Sequence, residues 1–152
     1  MRVRANPTAG LLALWLVMVM AWVGPASAQQ PVDLELVLAI DISGSVDEEE
    51  AALQREGYVA ALTNPRVVAA MGGGPFGAIA VTYVEWADDS LQRTVVAWQV
   101  IDGQASAKDF ARRLGGAPTV TEARTSISAL IDYCVPLFAG NGFEGTRQIG
   151  RA

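Results

Sequence analysis

The hydrophobic positions of the chain fall into two rhythms. Asp33 to Ile40 holds Leu34, Leu36, Val37, Leu38, Ala39 and Ile40 in a nearly unbroken apolar run, which predicts a strand covered on both faces. Asp47 to Leu62 begins with Glu48-Glu49-Glu50, suited to the positive end of a helix dipole, and places Leu53, Gly57, Ala60 and Ala61 on one face. This predicts a helix, stopped by Asn64-Pro65. Ala78 to Trp86 and Arg93 to Ile101 are rich in Val, Ile, Thr, Tyr and Trp. The polar connection Asp88-Asp89-Ser90 is too short for a parallel crossover, so the two should pair as an antiparallel hairpin.

Ser106 to Leu114 reads as a short helix. Ser106 and Asp109 have capping-box spacing, Ala107, Phe110, Ala111 and Leu114 form one stripe, and Gly115-Gly116 ends it. Ile127, Leu130, Ile131 and Cys134 then recur at helical spacing from Thr125 onward, with Pro136 expected to end or kink the helix. The pattern decays into Gly140-Asn141-Gly142, and no repeat, heptad or low-complexity tract is evident. The order strand, helix, strand, strand, helix, helix predicts an open, Rossmann-like α/β sheet with the first strand central. Ligands of such sheets bind beyond the carboxyl ends of the strands.

The first residues belong to a different pattern. Arg2 and Arg4 precede the apolar stretch Leu11 to Val23, and Ala26-Ser27-Ala28 supplies small residues at the end. This reads as a secretory signal peptide cleaved after Ala28, because Gly24-Pro25 stops the run short of the roughly 20 residues that a membrane anchor needs. The domain plan is therefore a signal peptide, 1–28, and one domain, 29–152. An exported product, periplasmic or extracellular and with no membrane association after cleavage, is expected. Loss of Arg2 and Arg4 takes the formal charge from −5 to −7.

Composition narrows the chemistry. The 152 residues include no histidine, which excludes Ser-His-Asp and Cys-His nucleophile systems and His-containing zinc sites. One cysteine excludes an internal disulfide, and Cys134 is expected to be a core residue. The acidic balance without any basic run argues against a nucleic-acid partner. Gly72 to Gly77 formally matches G-x-G-x-x-G but follows a helix and precedes a strand, the reverse of the dinucleotide-binding order, and reads as a loop. Asp41, Ser43, Ser45 and Asp47 begin like an EF-hand loop, yet Val46 and Ala52 stand where glycine and glutamate are required. Glu85 is expected on the exposed side of its strand.

The residues that end the first strand, Asp41-Ile42-Ser43-Gly44-Ser45, carry the candidate site. A carboxylate and two hydroxyls at alternate positions in a tight loop can turn three oxygens toward one point, which suits a hard cation. A turn alone would explain Ser and Gly, but not an aspartate closing a wholly apolar strand. Asp47 and the glutamates after it are expected to cap the following helix rather than bind metal.

With its apolar strand, Asp41-x-Ser43-x-Ser45 resembles the metal-ion-dependent adhesion site of von Willebrand factor type A domains, and in particular an exported bacterial branch of undefined biochemical role. The resemblance implies that Ser43 and Ser45 bind the ion through their hydroxyls and Asp41 through water or a carboxylate oxygen. It also implies that Thr125, in Glu122-Ala123-Arg124-Thr125-Ser126-Ile127-Ser128, adds a contact from a later loop. An N-cap role would explain Thr125 equally simply. The implied cofactor is one divalent cation, Mg²⁺ first, with Mn²⁺ or Ca²⁺ as alternatives. The implied partner is a protein offering an acidic side chain. A non-enzymatic binding module is thus expected, the alternatives being a metal-assisted hydrolase or a non-functional fragment. The family's last metal-site aspartate follows the next buried strand. Neither is expected before Ala152, so the site reads as incomplete, the domain as truncated, and Leu34 to Ile40 as lacking a neighbour on one edge.

Overall fold

Strand β2 (Leu34–Asp41) forms where the apolar run predicts it, and the rest of the molecule is arranged about it. In the computed structural model, residues 28–44, 47–118 and 124–151 are described. The expected signal peptide, except its last residue, and Ser45 lie outside them. Before β2 comes the short strand β1 (Gln30–Val32), and after it α1 (Glu48–Thr63), α2 (Pro65–Met71), β3 (Ile79–Trp86) and β4 (Gln92–Ile101). Then follow α3 (Gln104–Gly115), α4 (Ile127–Cys134), a 3₁₀ turn over Val135–Phe138, β5 (Phe143–Gly145) and β6 (Gln148–Arg151).

The main sheet has the order β4-β3-β2-β6. β2 is parallel to both β3 and β6, while β3 and β4 form the expected antiparallel pair with an irregular register near Tyr83. β1 and β5 make a separate two-stranded parallel ribbon. The fold is therefore an α/β open sheet, mostly parallel with one antiparallel pair. Alternation along β2 and β3 divides the core between the two faces. Leu38, Ile40, Val81 and Tyr83 pack with Leu62, Phe110 and Leu114 on the side of α1, α2 and α3. Val37, Ala39, Val84 and Trp86 pack with Leu130 and Cys134 of α4 on the other.

Three expectations about the elements require correction. The edge of β2 has a neighbour, because Gln148 to Arg151 pairs in parallel with Glu35 to Leu38. A strand written Gln-Ile-Gly-Arg has little β-branched content, and besides its backbone pairing with β2 the chain that leads into it is tied to Glu35, a fully buried carboxylate. Glu35 accepts from Gly145 N at 2.7 Å, Asn141 Nδ2 at 2.5 Å and Gln148 Nε2 at 3.3 Å. A Cβ on Gly145 would lie 2.8 Å from Glu35 Oε1, so the close approach requires glycine.

The second correction concerns α1, whose inward residues are Ala51, Arg55 and Leu62, with Tyr58 and Val59 half-buried, whereas Leu53 is 61% exposed and Gly57, Ala60 and Ala61 face outward. Third, α3 starts earlier than Ser106. Ser106 is the third helical residue, its hydroxyl accepting from Gly103 N and Asp102 N, and Asp109 pairs with Arg112 and Arg113 instead of capping. Asn64-Pro65 stops α1 as expected, and it also starts α2, since Asn64 Oδ1 accepts from Arg66 N and proline suits the first helical position. The Gly72 to Gly77 stretch is a loop, as expected, held by the Asp33 carboxylate, which accepts from Phe76 N and Ala78 N.

Candidate functional site

The carboxyl ends of β2 and β3 lie side by side, with Ile40 opposite Glu85 and Asp41 opposite Trp86. Beyond them Ile42 N donates to Trp86 O at 2.9 Å, so the pairing runs one residue past the strand. Asp41 is partly exposed, and Ser43, 4% exposed, donates its backbone N–H to Asp41 Oδ1 at 2.8 Å. This bond turns the chain back over the strand end and orients the carboxylate.

Helix capping is done by neighbours of the candidate ligands. The N-cap of α1 is Asp47: Oδ1 accepts from Glu50 N at 2.8 Å, and Asp47 N donates to Glu50 Oε2 at 3.4 Å. This is the capping role expected of Asp47. The N-cap of α4 is Ser126, whose hydroxyl accepts from Ala129 N at 3.4 Å. Thr125, one residue earlier, is exposed and is not the cap. Ser126 N donates to Ala87 O at 2.8 Å, which fastens the Thr125 segment to the residue after Trp86, the strand partner of Asp41. Asp41, Ser43 and Thr125 are thus brought to the same end of the sheet.

Asp41 lies in the alternation of Val37 and Ala39, on the α4 side, and beside it Trp86 is 4% exposed with a buried indole N–H that has no hydrogen-bond partner among the described residues. A carboxylate and hydroxyl oxygens are the donor chemistry of a hard divalent cation, so the residues present fit such an ion. Among the described residues there is no cluster of three or more His, Cys, Asp or Glu side chains that could hold a metal.

Sequence reasoning missed a second polar group at this end. Glu85 is 2% exposed, not on an exposed side as expected, and each of its oxygens is taken by a different arginine. Arg55 Nη2 donates to Oε1, while Arg93 donates to Oε2 from Nη2 at 2.6 Å and from Nε at 3.1 Å. The same guanidinium groups donate to the carbonyls of Ala117, at 2.5 Å from Arg55 Nη1, and Pro118, at 2.7 Å from Arg93 Nη2. Burial, and then the Glu85 charge, push the neighbouring Tyr83 hydroxyl well above its ordinary pKa, so it stays protonated. The signal available in the sequence was charge pairing, since Glu85 and Arg93 are register partners across the hairpin.

In the sheet β6 lies beside β2, and the antiparallel pair lies on the other side. The chain belongs to the family described as "Protein of unknown function (DUF1194)", whose model matches residues 31–150. Among solved structures it is similar to the von Willebrand factor domain of the type V pili tip protein Mfa5 from Porphyromonas gingivalis, with 16% identity and a TM-score of 0.40. That likeness covers 76% of this chain and 36% of the other. No curated protein matches the sequence.

Proposed function

We propose that the protein is an exported, non-enzymatic binding module that holds one divalent cation at the carboxyl end of β2 and uses it to engage a carboxylate of a partner protein. The observation that carries this reading is the division of labour at the strand end. Asp41 is oriented by Ser43 N, and the capping duties that would explain Ser45 and Thr125 otherwise belong to Asp47 and Ser126. Asp41, Ser43, Ser45 and Thr125 are the proposed ligands, with Mg²⁺ the first candidate and Mn²⁺ or Ca²⁺ alternatives. The ion, when bound, would supply an electrophilic position for a partner oxygen. Hydroxyl donors neutralise little of its charge, and Asp41 contributes a single negative charge. An acidic chain would repel an acidic partner, and a cation held here reverses the sign locally. No helix among the described residues is long and apolar enough to cross a membrane. The Leu11 to Val23 stretch is proposed to direct export and to be removed.

Thermal unfolding with and without Mg²⁺ or Mn²⁺ tests the site. At a hundredfold excess over the dissociation constant, one ion should add about 2.7 kcal/mol of stability, and Asp41→Ala should abolish the gain. An equal metal response in Asp41→Ala would refute the assignment.

A further inference from the structure

Glu85 and its two arginines account for more polar investment than the fold needs at one strand end. Three charged side chains converge beneath the segment that follows α3, with Arg55 also buried and Arg93 part-buried. One carboxylate cannot balance two guanidinium groups, and their remaining donors point to the carbonyls of Ala117 and Pro118. These carbonyls lie just past the end of α3, where a helix offers negative partial charge to cations. Glu85 thus fixes two arginines, and the arginines fix residues 117 and 118.

The other end of the same connection is fixed by Ser126 N on Ala87 O. Glu85 and Ala87 are two residues apart on one chain, yet their anchors serve opposite layers: Arg55 belongs to α1, and Ser126 caps α4. The connection from Pro118 to Ser126 is therefore held at both ends by the carboxyl end of β3, next to Asp41 and with Thr125 at its far end. We infer that Glu85, acting through Arg55 and Arg93, is a positioning residue that clamps Ala117 and Pro118, where the connection leading to Thr125 begins. This rests on the proposed metal site for its functional consequence, but the clamp itself is a property of the chain.

Glu85→Gln keeps the shape, removes the charge, and turns an amide donor toward a guanidinium. Amide exchange should be followed in protein purified from cells expressing the full chain, without metal. Ser126 is the reporter for the connection, and Leu38 for the sheet. Release of the clamp should speed exchange at Ser126 by about tenfold relative to any change at Leu38, the scale of one charge-assisted hydrogen bond. A relative change at Ser126 below about threefold would overturn the clamp, and a larger one supports it. A purely structural role would accelerate both amides alike. Should Glu85→Gln not fold, Arg93→Lys, at a part-exposed position, keeps the charge and removes the forked donation to Glu85 and Pro118, and the same criterion applies. The functional consequence is read separately as weaker Mg²⁺ binding in the variant than in wild type. Absence of any metal response in wild type would end the metal reading, while Ser126 exchange would still decide the clamp.

Discussion

Asp41 and Glu85 stand one register position apart on neighbouring strands, yet they face opposite layers and meet opposite surroundings. Glu85 is enclosed and neutralised by two arginines, so its charge is spent on structure. Asp41 accepts a backbone N–H from Ser43 and forms no ion pair among the described residues. Cys134 behaves as its apolar spacing implies: it is buried, and burial pushes its thiol pKa up, which disfavours the reactive thiolate. The capping assignment is open to a direct check. Asp47→Ala should destabilise the protein by about 1 kcal/mol equally with and without divalent metal, because it removes the bond to Glu50 N. Urea unfolding in both conditions measures this. A loss seen only with metal would make Asp47 a ligand rather than a cap.

Elements whose apolar pattern agrees with their burial were legible from the chain. Ala107, Phe110, Ala111 and Leu114 form the buried stripe of α3 as the spacing predicts, and β2, β3 and β4 follow from their composition. Where the buried face carries charge, the pattern misleads. The inward stripe of α1 is centred on Arg55, so the uncharged stripe through Leu53 and Gly57 was the more plausible sequence reading and is the exposed one. β6 was invisible for a related reason: its pairing with β2 is accompanied by contacts to a buried glutamate, and periodicity records hydrophobicity, not hydrogen bonds. In the candidate site the local part, Asp41 and Ser43, could be read directly from spacing. Thr125 required the resemblance, and the clamp on its connection required three residues distant in sequence.

At the scale of the molecule, helices cover both faces of the sheet, and β6 relieves the exposed edge that the sequence had suggested for β2 along Glu35 to Leu38. The strand that carries the candidate site is therefore central in the sheet. Export is tested by the mass of protein recovered from the periplasm or medium, which should begin at Gln29. Retention of Met1 to Ala28 in a membrane fraction would instead favour an anchor. The central claim, that this strand end holds one divalent cation, is tested most directly by titrating Mn²⁺ and reading the free ion by electron paramagnetic resonance. Wild type should bind one ion, Asp41→Ala none, and Ser43→Ala and Thr125→Ala should bind it more weakly while retaining the fold. A wild-type chain that binds no Mn²⁺, or an Asp41→Ala variant that binds it with unchanged affinity, would contradict the account.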